Sequence, residues 1–200
     1  MKEVFVIADW AEIEGPAQLG TLRAERSRGK EVFSFTYDRQ GLASGLAQQL
    51  DPDLRLFTGP QYPSDGKSNF GLFLDSSPDR WGRMLMDRRE AILARQEQRN
   101  LRPLSELDYL LGVHDETRMG ALRFRLTENG PFLAHAPDMK APPFTSIREL
   151  EQASLKIEDD HFFEDKHAQK WLQILIAPGS SLGGARPKAN VRDTERRLWI

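Results

Sequence analysis

The chain has 200 residues, enough for one large domain or two small ones with a real hydrophobic core. A hydrophobic content of 39%, 29% charged residues and a net charge of −2, with acids and bases interspersed, describe an ordinary globular chain without a general nucleic-acid footprint. The absence of cysteine excludes disulfides, thiol catalysis and cysteine-ligated zinc, and no apolar run approaches a membrane span.

The opening Met1-Lys-Glu-Val-Phe-Val-Ile-Ala-Asp-Trp10 has a short apolar run followed by an acid, so it reads as a first strand rather than an export signal, which favours the cytoplasm. Residues 17–22 and 31–37 read as two further strands, separated by turn formers at Glu14-Gly-Pro16 and Arg28-Gly29. In the third, Phe33, Phe35 and Tyr37 alternate with Val32, Ser34 and Thr36, which predicts one buried aromatic face. Antiparallel pairing through short connections is the simplest topology. Leu42, Leu46 and Leu50 have helical spacing interrupted by Gly41 and Gly45, and residues 58–69 are a loop by composition.

A clearer helix comes next. Ser77 is placed as its N-cap, with Pro78 first in the helix and Asp79 in the first turn. Trp81, Leu85, Arg88 or Arg89, Ile92 and Leu93 form its stripe, with Trp81 as a core anchor. Arg102-Pro103 punctuates the chain and sets the expected boundary between domains 1–102 and 103–200. Residues 105–111 predict a short helix closed by Gly112. Residues 121–126 and 131–135, joined at Glu128-Asn-Gly130, predict a hairpin. After a proline-rich linker at 136–143, Ser146 and Glu149 make a capping box for a helix carrying Ile147, Leu150, Ser154 and Leu155. The acidic stretch around His161 and His167 matches no metal-ligand spacing and reads as a solvated run. Ala168, Trp171, Leu172, Leu175 and Ile176 have the spacing of an amphipathic helix.

That helix leads into Ala177-Pro-Gly-Ser-Ser-Leu-Gly-Gly-Ala-Arg-Pro-Lys-Ala-Asn-Val191, where Gly179, Gly183 and Gly184 permit positive φ and close backbone approach. Successive amides can then face one anion, and Arg186 and Lys188 stand ready for phosphate oxygens. The same composition also suits a plain surface loop. Gly179 and Gly184 have the outer spacing of a Walker loop, but Ala185-Arg186 succeed them, and the dinucleotide fingerprint is missing too. The loop is succeeded not by a helix pattern but by a hairpin signal, residues 188–193 and 196–200 about Thr194-Glu195. A glycine-rich loop entering an antiparallel hairpin is how protein kinases cover ATP phosphates.

Ser180-Ser-Leu-Gly-Gly-Ala-Arg-Pro-Lys-Ala189 resembles the signature of the HipA-type serine/threonine kinases, toxins of bacterial toxin–antitoxin pairs. Phe70-Gly-Leu-Phe-Leu-Asp-Ser-Ser-Pro-Asp-Arg-Trp-Gly-Arg83 and Arg118-Met-Gly-Ala-Leu-Arg-Phe124 agree with the family in order and spacing. The resemblance covers nearly all of the chain but only the front part of the family's length.

It implies an α+β fold, an antiparallel β-rich N-terminal subdomain followed by the incomplete N-lobe of a kinase-like fold. It makes Gly183, Gly184, Ala185, Arg186, Pro187 and Lys188 the nucleotide-binding loop, and Ser181 the autophosphorylated serine. Pro187 lacks an amide donor that some relatives have at this position. ATP and Mg²⁺ are implied for the full-length protein. No catalytic residue and no metal ligand are expected within this chain, which by itself is expected to be an inactive fragment. The family lysine for ATP lies just beyond the strand begun by Leu198-Trp-Ile200. A HipB-like helix-turn-helix antitoxin with its operator DNA, and a protein substrate such as an aminoacyl-tRNA synthetase, are the implied partners, and no membrane is. The other reading is a non-catalytic regulatory module, which predicts a free-standing unit ending near Asn100.

Overall fold

The computed structural model describes residues 1–43, 45, 50–133, 147–159, 162, 167–168, 171–172, 175, 184, 186–195 and 197–199. The fold is mixed α+β, with an antiparallel four-stranded sheet and several helices. Its contacts divide the chain into two compact units, one of Met1–Ser76, Ser105–Leu111 and Met119–Ala134, the other of Ser77–Leu104, Gly112–Arg118 and His135–Ile200. Each unit draws on residues from both sides of Arg102-Pro103, a division different from a single cut at that point.

In the first unit, strands β1 (Lys2–Ala8), β2 (Ala17–Ser27), β3 (Lys30–Tyr37) and β4 (Leu122–Arg125) form a sheet in the order β3-β2-β1-β4. The Arg28-Gly29 loop closes β2 onto β3 with φ of 50° and 80°, the two positive values that a tight primed hairpin turn requires. The pairing of β1 with β2 shifts register after Val6, which leaves Leu19 between the partners of Val6 and Ile7. The Leu19 carbonyl accepts instead from the Asp38 amide (2.9 Å). The expected hairpin after residue 121 is realised differently: β4 pairs with β1, and Leu133 returns with one bond from its amide to the Phe124 carbonyl (3.0 Å). Residues 134–135 of that expectation lie outside the described residues.

The alternation read in β3 is realised, and Phe33, Phe35 and Tyr37 are all buried. Phe35 meets Tyr37 edge-on with centroids 5.0 Å apart, and Phe70, Phe73 and Phe124 extend the ring cluster. Such geometry adds about 0.5–1.5 kcal/mol per pair to the area buried. The loop at 58–69 is braced on this core. Gln61 exchanges both backbone bonds with Phe35 (2.9 Å each), and its side chain caps both backbone groups of Arg55.

Helices α1 (Arg39–Ala43) and α2 (Gly71–Asp75) are short, and α3 (Arg80–Gln96) opens the second unit. Its cap is Asp79 rather than Ser77, a correction to the sequence reading. Asp79 has the extended backbone of an N-cap (φ −82°, ψ −171°), and its carboxylate accepts the Arg80 amide. Trp81, Leu85 and Ile92 are buried as expected, joined by Met86, Ala94 and the carboxylate of Glu90. Arg99 folds back to meet Glu90 with both terminal nitrogens (2.5 and 3.0 Å). Helix α4 (Glu106–Gly112) starts on reciprocal bonds: the Ser105 amide donates to Asp108 Oδ2 (3.0 Å), and the Asp108 amide to Ser105 Oγ (3.2 Å).

Helix α5 (Ile147–Glu158) forms where expected, but on a different face. Leu150, Ala153 and Ile157 are buried, whereas Ile147 and Leu155 are 43% and 64% exposed. The small Ala153 completes the i, i+3, i+7 stripe that packs with Trp81, Leu85 and Ile92 of α3 and with Leu172 and Leu175. Ser146 and the linker at 136–143 lie outside the described residues. No helix among the described residues is long and apolar enough to cross a membrane.

Gly20 carries a steric constraint, because a Cβ there would stand 2.3 Å from the Thr36 carbonyl oxygen and 2.5 Å from the Phe35 ring. Gly20→Ala is expected to cost about 1–3 kcal/mol by forcing β2 away from β3. Val32→Thr, at a position 39% exposed, should stay within about 0.5 kcal/mol. Urea denaturation followed by amide exchange in β2 and β3 measures both.

Candidate functional site

Of the sequence-predicted site residues, Gly184, Arg186, Pro187 and Lys188 are described, while Ser181, Gly183 and Ala185 lie outside the described residues. Gly184 adopts φ +90°, a conformation open to glycine and strained for other residues. Both of its backbone groups bind the first turn of α3. Its amide donates to Asp79 Oδ2 (2.5 Å), and its carbonyl accepts from the Trp81 amide (3.0 Å). The other Asp79 oxygen, Oδ1, accepts the Arg80 amide (2.8 Å), so one carboxylate starts the helix and anchors the loop. Lys188 crosses the same spot, its Nζ 2.9 Å from where a Cβ on Gly184 would lie. Arg186 and Pro187 are exposed, and Lys188 is half-buried.

Past the loop, buried Asn190 and Val191 lead into the antiparallel pair β5 (Val191–Arg192) and β6 (Leu198–Trp199), the hairpin expected from the sequence. Asp193 holds its turn. Oδ1 accepts the amides of Glu195 and Arg197, and Oδ2 accepts Arg197 Nε and Trp199 Nε1, all at 2.9 Å. Those bonds hold the Asp193 carboxyl below the usual aspartate range, the Trp199 bond most of all.

Beside the loop anchor, an open cleft of about 430 Å³ runs along α3, lined by Asp79, Arg80, Arg83, Met84, Asp87 and Arg88. Two of its arginines are oriented from within the unit. Arg83 Nε donates to the Pro78 carbonyl (3.0 Å), and Arg88 donates to the Ile157 carbonyl with its guanidinium 5.0 Å from the Phe162 ring centre. Among the described residues no three His, Asp or Glu side chains come together as a metal site.

Sequence reasoning finds the loop but misses its anchor. Asp79 comes after a serine and a proline that are themselves helix starters, and residues 79 and 184 are 105 positions apart. The only signal is an acid immediately before the helical stripe. No protein-family model, curated protein or solved structure matches the chain.

The Gly184 amide, followed by that of Arg80, holds the Asp79 carboxyl below its ordinary value of 3.8. A carboxylate depressed in the folded state contributes stability that is present above its unfolded value and lost as pH falls through the folded one. The contact is therefore intact at neutral pH. The amide proton resonance of Gly184 should titrate with a midpoint below 3.8, read by heteronuclear NMR between pH 6 and pH 2. A midpoint above that value would contradict the bond.

Proposed function

We propose that the chain is the N-terminal part of a HipA-like serine/threonine protein kinase, which binds ATP through residues 183–188 and phosphorylates a translation-related protein. The observation that carries this reading is Gly184, held at positive φ against Lys188 at the entrance to an antiparallel hairpin. Three separated motifs in the order of the HipA-type kinases support it from the sequence. In this reading the second unit contains the start of a kinase-like N-lobe.

The chain's own contribution is phosphate contact. Arg186 offers a guanidinium fork and Lys188 a compact ammonium, whose Nζ lies over Gly184 in the space a Cβ would fill. ATP supplies the transferable phosphoryl group. Mg²⁺ belongs to the full-length protein in this reading, where it would neutralise charge on the ATP phosphates. Ser181 is proposed as the autophosphorylated residue, where a phosphate would compete with nucleotide for the loop amides. A HipB-like helix-turn-helix antitoxin on its operator DNA, an aminoacyl-tRNA synthetase as substrate, and a cytoplasmic setting belong to the same proposal through the motif resemblance.

Titration of ATP at low ionic strength, followed by amide shifts at Arg186 and residues 188–192, tests the reading. Binding is expected to weaken with added salt, because phosphate contacts at an exposed loop are screened. Gly183→Val and Lys188→Ala should each weaken it by about tenfold, the loss of about 1.4 kcal/mol. Unchanged affinity in both folded variants would make the segment an ordinary surface loop.

A further inference from the structure

An anion beside a phosphate loop is an electrostatic liability, yet Asp79 stands there with its carboxylate on the loop backbone. Its two oxygens do separable work. Oδ1 satisfies the amide of Arg80, the first residue of α3, whereas Oδ2 satisfies an amide 105 residues away. With the Trp81 amide on the Gly184 carbonyl, the loop is tied to the helix through both backbone groups of a single residue. Two bonds of opposite polarity fix the orientation of Gly184 as well as its place.

That attachment has an energetic consequence. Free chain ordered by a ligand subtracts its conformational entropy from the binding free energy, about 1–2 kcal/mol for each residue fixed. A loop whose base is ordered by folding avoids part of that cost. Lys188 gains as well, because its Nζ lies against Gly184 and is carried to the same place.

We propose that Asp79 is a positioning residue for the phosphate loop. It acts through the Gly184 amide and does not itself touch ligand. This rests on the nucleotide-binding reading of the loop. It also makes a prediction opposite in sign to that of simple electrostatics. Removing a negative charge near a phosphate site should tighten anion binding. If Asp79 orders the loop, removing its charge-bearing oxygen weakens binding instead.

Asp79→Asn separates the two roles. Asparagine caps helices as well as aspartate does, so α3 keeps its start. Its side-chain amide, however, places a donor where Gly184 needs an acceptor. Asp79→Ser is the second variant, an equally good cap that is too short to reach the loop as well. Asp87→Asn, on the same cleft, removes an equal charge without touching Gly184.

The experiment is ATP titration of the 200-residue chain and these variants at fixed salt, with amide exchange of Gly184 and of the α3 backbone read in parallel. Asp79→Asn and Asp79→Ser are expected to lose about tenfold in affinity, equivalent to ordering about one residue. Gly184 exchange should accelerate while α3 exchange stays unchanged, and Asp87→Asn should bind as well as wild type or better. Affinity unchanged or tightened in the Asp79 variants overturns the proposal, as does Gly184 exchange that stays slow. If wild type takes up no ATP at any salt, the nucleotide reading fails and the positioning role falls with it, while accelerated Gly184 exchange would still show the tether.

Discussion

A backbone amide that leaves a helix or strand still needs an acceptor, and both units meet that constraint with aspartate carboxylates. Asp38 accepts the amides of Gln40 and Gly41 where β3 gives way to α1. Asp51, buried, accepts those of Asp53 and Leu72 and so ties the loop after residue 50 to the start of α2. Asp79 does the same for Arg80 and Gly184, and Asp193 for Glu195 and Arg197. Each bond is charge-assisted and stronger than a neutral one, which suits irregular segments that have no ladder to join.

Apolar packing then fills what these bonds outline. In the first unit one sheet face carries Val4, Val6, Ala8 and Leu22 together with Phe35, and Phe70 and Phe73 pack on the Phe35 ring. In the second unit, α3 and α5 present Trp81, Leu85, Leu150 and Ile157 to a common core with Phe162, Leu172 and Leu175. Polar groups that enter these interiors are handled one at a time. Arg118 is buried, and desolvation lowers its pKa to about 10 despite the nearby Asp115, so it remains a cation at neutral pH. Its Nη2 donates to the Val113 carbonyl at 2.9 Å. A buried charge of this kind is costly unless paired and hydrogen-bonded.

At the candidate site the same economy joins structure to chemistry. The positive φ of Gly184 is useful only if the peptide is held in place, and the first turn of α3 holds it. Placing that turn beside the loop also brings an arginine-lined cleft next to the residues proposed to meet phosphate.

Local pattern made much of this legible in the sequence. The three N-terminal strands, the aromatic face of β3, the Arg28-Gly29 turn, the body of α3 with Trp81 inward and the hairpin after the glycine-rich loop all arise from periodicity and turn chemistry within a few residues. Pattern misplaced what several chemically similar candidates could satisfy: Ser77 and Asp79 are both good caps, and Leu155 is as apolar as the Ala153 that is actually buried. Tertiary structure alone decided the pairing of β4 with β1 and the bond between Asp79 and Gly184. Both join residues about a hundred or more positions apart, and sequence periodicity records which face of an element is apolar but not which distant backbone group will lie opposite a given carboxylate.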